Sequence, residues 1–138
     1  MSIAQQLRER FQRLPEGGII VSRELHKLST DSQQVDKAAS RLYKTEGLTK
    51  LRNGLYYRPY NSRFFGQLPP REGDVIRSIR RQYGARISPS GALAAYDLGL
   101  APSLPDAITY ETDKRISPIR LETRTLHFAK WTGKNFPL

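Results

Sequence analysis

Asn53-Gly54 separates two short runs, LTKLR and LYYRP, and such a dipeptide between strand-like segments is the strongest local signal for a two-residue hairpin loop. Both central residues of the favoured primed turn need positive φ, so a strand is expected on each side. What comes before is equally constrained. Val35, Ala38, Ala39, Leu42 and Tyr43 make one apolar stripe from about Gln33 to Glu46, and Gly47 supplies a residue free to end a helix with positive φ. The chain must therefore deliver a helix straight into a basic hairpin.

Upstream, Ile3, Leu7, Phe11 and Leu14 recur at helical steps and stop at Pro15 and Gly17-Gly18. Ile19-Ile20-Val21 is short and β-branched. Ser22 is expected to cap a short helix through Leu28, with Glu24 near its positive end and Leu25 and Leu28 inward. In STDS (29–32), Asp31 stands three residues before Gln34, resembling a capping box. Three helices followed by a hairpin is the order of a winged helix-turn-helix. In that module the third helix enters a major groove and the hairpin wing grips the adjacent backbone.

Beyond residue 60 the pattern changes. YNSRFFGQLPP loses periodicity, so residues 61–70 read as a linker docked by Phe64 and Phe65. Val75, Ile76, Ile79 and Tyr83 restore helical spacing up to Gly84. Ser88 and Pro89 are expected to start the helix GALAAYDLGL, which Gly99 ends. ITYET, PIRLET and TLHFAKW favour short strands. The expectation is an α+β chain: a winged helix-turn-helix over 1–60, the linker, then a small α+β domain over 71–138 with two helices followed by short antiparallel strands.

Charge supplies the functional hint. Twenty-three Lys and Arg against 13 Asp and Glu give +10, and a polyanion is the usual partner of such a surface. Residues 1–60 hold 11 basic and 6 acidic side chains and residues 61–138 hold 12 and 7, so the excess is even and does not choose a half. Gln33, Gln34, Lys37, Ser40 and Arg41 offer paired donors and acceptors of the kind that read base edges. Lys44, Lys50, Arg52 and Arg58 come later, where cations on phosphates give affinity and register. Asn53 approaches a minor groove or simply makes the turn. Arg77, Arg80 and Arg81 extend the footprint, meet an acidic partner, or form a solvated helix face.

Other chemistry finds little support. There is no cysteine, and His26 and His127 are far apart, so no metal ligand set and no cofactor are expected. His26 should cap or pack on its short helix, and His127 should be an ordinary strand side chain. No phosphate loop, His-Glu-x-x-His or G-x-S-x-G elbow occurs. SPSG (88–91) reads as a helix cap, and Asp97 and Asp106 as scattered carboxylates, so no catalytic residue is assigned and no enzyme is expected. With no apolar run of roughly 20 residues, neither a membrane span nor a secretory leader is expected, and a cytoplasmic protein fits.

GGIIVSREL, AASRLYKTEGLTKLRNGLYYRP, SPSGALAAYDLGL, LPDAITYET and LHFAKW together resemble the AbiEi-like antitoxins of type IV toxin–antitoxin (abortive infection) systems, from about Gly18 to Trp131. The resemblance implies a bacterial transcription regulator whose winged helix binds double-stranded DNA at inverted repeats in its own promoter and represses it. It also implies that a C-terminal part, within Arg71–Trp131, neutralises a co-encoded nucleotidyltransferase-like toxin. The DNA-reading helix would be Gln33–Lys44 and the wing Lys50–Arg58. A homodimer would suit an inverted repeat, as would two monomers on adjacent half-sites. Members usually continue beyond the last strand, so this chain is expected to be either cut short or a compact member. The alternatives are a winged-helix protein–protein interaction module and an RNA-binding protein.

Overall fold

In the computed structural model, which describes residues 2–105, 107–122, 124–133 and 135–136, the first helix forms as α1 (Ile3–Arg13). The Ser2 hydroxyl caps it by accepting the Gln5 N–H at 3.1 Å. Leu7 and Phe11 are fully buried, as their spacing requires. The chain is mixed α+β and divides into two units, Met1–Gln82 and Tyr83–Leu138.

In the first unit, β1 (Ile19–Val21) leads into α2 (Ser22–Leu25) and a 3-10 turn (His26–Leu28). Ser22 was expected to cap this helix, but Val21 occupies the cap position and Ser22 is the first helical residue. Its buried hydroxyl instead accepts the Gln82 Nε2–H at 3.0 Å. Asp31 does cap α3 (Ser32–Leu42), accepting the Gln34 N–H at 3.2 Å. Helix α3 ends four residues earlier than the apolar stripe suggests. Thr45 Oγ1 turns back to Leu42 O (2.8 Å), and the following turn closes with Leu48 N–H on Tyr43 O (3.0 Å) and Gly47 at φ +77°.

The hairpin forms as β2 (Thr49–Arg52) and β3 (Leu55–Tyr57), and β1 adds to give a three-stranded antiparallel sheet in the order β1-β3-β2. The turn is not the expected primed type. Gly54 has φ +86°, but no described non-glycine residue has positive φ, so Asn53 does not. A register shift between Lys50 and Arg52 accompanies this, and such a bulge adds twist that an unprimed turn lacks. The three helices cover the sheet through a core of Leu7, Phe11, Leu25, Val35, Ala39, Leu48 and Tyr56.

Where irregular chain was expected at 61–70, β4 (Tyr60–Ser62) and β5 (Gly66–Leu68) form a second hairpin. The Tyr57 phenol anchors it by donating to Leu68 O at 2.9 Å. Phe64 and Phe65 do not dock the segment, being 84% and 80% exposed. Helix α4 (Glu72–Tyr83) completes this unit, burying Val75, Ile76 and Ile79, so only one of the two helices expected after the linker falls in the second unit.

The second unit holds β6 (Ile87–Pro89), α5 (Gly91–Asp97), β7 (Ile108–Thr112), β8 (Ile119–Arg120) and β9 (Thr125–Lys130). Ser90, rather than Ser88 or Pro89, starts α5 by accepting the Leu93 N–H at 3.3 Å. The expected antiparallel sheet is mixed, in the order β6-β7-β9-β8. The chain runs from β7 to the outer position of β8 and returns as β9 between them, so β7 and β9 are parallel while β8 and β9 are antiparallel. Ile108, Tyr110 and Thr112 alternate inward along β7, and Leu126 is fully buried on β9. Arg86 and Asp113 close the sheet's end: Arg86 N–H and Nε–H reach the two carboxylate oxygens at 2.8 and 3.2 Å. Those bonds, the backbone one foremost, hold the Asp113 carboxyl below its ordinary value.

Candidate functional site

Helix α3 buries Val35 and Ala39, and its register therefore turns Gln33, Gln34, Lys37, Ser40 and Arg41 outward, where all five are exposed. Gln33, Lys37 and Arg41 follow one another at steps of four and share a stripe. The β2–β3 hairpin meets this helix along an open groove of about 320 Å³. Asp36, Lys37 and Ser40 line it from α3, Lys50 and Asn53 from the hairpin, and Tyr56 from beneath. Four of the residues singled out in the sequence thus share one depression.

Two contacts shape its electrostatics. His26 caps the C-terminus of α2, as expected, its backbone N–H donating to Arg23 O, and its Nε2 lies 2.9 Å from Asp36 Oδ1, which also ties the 3-10 turn to α3. Burial, followed by the nearby Asp36 charge, pushes the Tyr56 phenol above its ordinary value, while Ser40 hydrogen-bonds it and acts in the opposite sense. The phenol therefore stays neutral well into the alkaline range. The groove presents hydroxyls, two amides and two ammonium groups beside one carboxylate, a mixture suited to a polar, anionic surface.

Other residues fall elsewhere. Lys44 is exposed in the turn after α3, and Arg52 is half-buried on β2. Arg58 leaves the wing surface: its Nε–H and Nη2–H donate to Leu14 O (2.6 Å) and Phe11 O (2.7 Å), so the guanidinium caps the C-terminus of α1. On α4, Arg77 pairs with Asp74, Arg81 lies 3.5 Å from Glu24, and Arg80 is exposed. His127 is exposed on β9. Asp97 is exposed just inside the end of α5, and Asp106 lies outside the described residues.

Gln82 is the site residue that sequence reasoning missed. From α4 it donates to Ser22 Oγ (3.0 Å), accepts the Arg23 N–H (3.0 Å) and lines the groove below Gly54. A Cβ on Gly54 would fall 2.5 Å from Gln82 Nε2 and 2.7 Å from Ser22 Oγ, so a side chain there would displace the Gln82–Ser22 bond, while the φ of +86° favours glycine by itself. No local signal announces a contact spanning 60 residues. Among the described residues no three His, Asp or Glu side chains group as a metal set, and no helix is long and apolar enough to cross a membrane.

One family model matches residues 6–138, and the chain belongs to that family, described as a family of unknown function (DUF6088). No curated protein and no solved structure matches it.

Proposed function

We propose that this DUF6088 chain is a DNA-binding transcriptional regulator of antitoxin type, in which residues 1–60 act as a winged helix-turn-helix. Helix α3 enters the major groove and the β2–β3 hairpin lies along the neighbouring backbone. One observation carries the reading: Lys37 and Ser40 of the exposed face of α3 line the same groove as the hairpin's Lys50 and Asn53. A helix of about 10–12 Å diameter matches a major groove about 12 Å wide. Gln33, Gln34, Lys37, Ser40 and Arg41 then face base edges, while Lys44, Lys50 and Arg52 face phosphates.

The second half of the proposal assigns the unit Tyr83–Leu138 to a protein partner, a co-encoded nucleotidyltransferase-like toxin. Leu98 and Leu100, 75% and 78% exposed beyond α5, support a protein contact there. The chain itself performs no chemistry in this reading.

Fluorescence anisotropy on DNA from upstream of the coding sequence, repeated across salt concentrations, tests it. Arg41→Ala should weaken binding to that DNA by about 1–3 kcal/mol relative to an unrelated duplex. Lys50→Ala should weaken both duplexes alike and lower the salt slope by about one. Two variants indistinguishable from the parent would show that the surface is wrongly assigned.

A further inference from the structure

We propose that the β4–β5 hairpin is a second DNA contact, with Phe64 and Phe65 at its tip stacking against bases of a duplex; this rests on the DNA-binding reading of α3. The pair is the most exposed large apolar feature among the described residues, at 84% and 80%. It is also held in a defined shape. Ser62 Oγ accepts the N–H groups of Phe64 (3.3 Å) and Phe65 (3.1 Å), and the ribbon pairs in register from Tyr60↔Leu68 to Ser62↔Gly66. Its base is fastened by the Tyr57 phenol on Leu68 O. Two exposed rings carried on a hydrogen-bonded tip call for an apolar partner.

Charge selects which partner. From Tyr60 to Arg71 the sequence contains Arg63 and Arg71 and no carboxylate. At the base of the ribbon the Arg71 guanidinium lies over the Tyr60 ring, 5.5 Å from its centroid, and Asn61 Nδ2–H donates to the Glu16 carboxylate at 3.3 Å. Arg63, next to Phe64 in the chain, therefore joins positive charge to the aromatic pair at the tip, and Arg71 adds a second cation at the base. A partner complementary to both presents flat apolar faces within an anionic backbone, and nucleic acid does so at every base step. Apolar side chains that enter between steps of a duplex partly unstack them, most readily at flexible pyrimidine–purine steps.

The test uses the intact chain and a short mixed-sequence duplex carrying 2-aminopurine at its TA steps. Binding should raise the probe's fluorescence as its neighbours unstack. Phe64→Ala/Phe65→Ala should abolish the rise and bind about tenfold more weakly, with an unchanged salt slope because no charge is removed. Phe64→Tyr/Phe65→Tyr, which keeps both rings, should restore the rise. An alanine pair matching the parent in affinity and fluorescence overturns this inference and leaves the role of α3 standing. A parent chain that binds no duplex overturns both. If the alanine pair instead abolishes self-association while duplex binding is intact, the rings serve a protein contact and the inference falls.

Discussion

Phe11→Ala is expected to destabilise the unit Met1–Gln82 by about 3–5 kcal/mol, read as a lowered urea midpoint in far-ultraviolet circular dichroism with little change in slope. Phe11 is fully buried, and its ring lies 6.0 Å from that of Tyr56, which in turn lies 5.0 Å from Tyr43. Removing the ring deletes its contact with Tyr56 of β3 and leaves a cavity in the core that Leu7, Val35 and Ala39 share. The consequence reaches the site, because α3 and Tyr56 pack on the same core. A loss below about 1 kcal/mol would mean that α1 does not carry this core.

Arg58→Ala is expected to cost about 3 kcal/mol of stability in the same unit while leaving DNA affinity unchanged under folding conditions. Its guanidinium makes two hydrogen bonds to carbonyls at the negative end of α1, and bonds to charged groups contribute about 1.5–3 kcal/mol each. The backbone of Arg58, which bonds Gly17 N–H and Gly18 O, is untouched by the substitution. Arg58→Lys should recover only part of the loss, since an ammonium lacks the planar fork that spans both carbonyls. Denaturation and anisotropy on the same variants separate the roles. A fall in affinity without a fall in stability would return Arg58 to the wing.

Arg58 also illustrates what a sequence can and cannot disclose. The stripe of Ile3, Leu7, Phe11 and Leu14, the Asp31 cap, Gly47 and the Asn53-Gly54 hairpin were legible because each acts within a few residues of itself. The outward face of α3 followed from its inward one. Arg58 looked like a wing cation because its neighbours in sequence are wing residues, yet its partners lie 44 and 47 positions earlier. Gln82 was hidden for the same reason.

The β4–β5 hairpin escaped for a different reason. YNS and GQL show no apolar alternation because most of the ribbon is exposed, and its anchor is a phenol on a neighbouring strand. In the second unit, alternation in ITYET and TLHFAK announced strands, but spatial order is not a property of alternation. The insertion of β9 between β7 and β8, and the parallel pairing it creates, is set by where the chain crosses. Strand identity was readable; the sheet's sense was not.

The most direct test of the account follows the backbone amide resonances of the intact, isotope-labelled chain as duplex DNA from upstream of its coding sequence is added. The largest shifts should fall on Gln33–Arg41 and on the turn Lys50–Gly54. Shifts confined to Tyr83–Leu138, or none at saturating duplex, would contradict it.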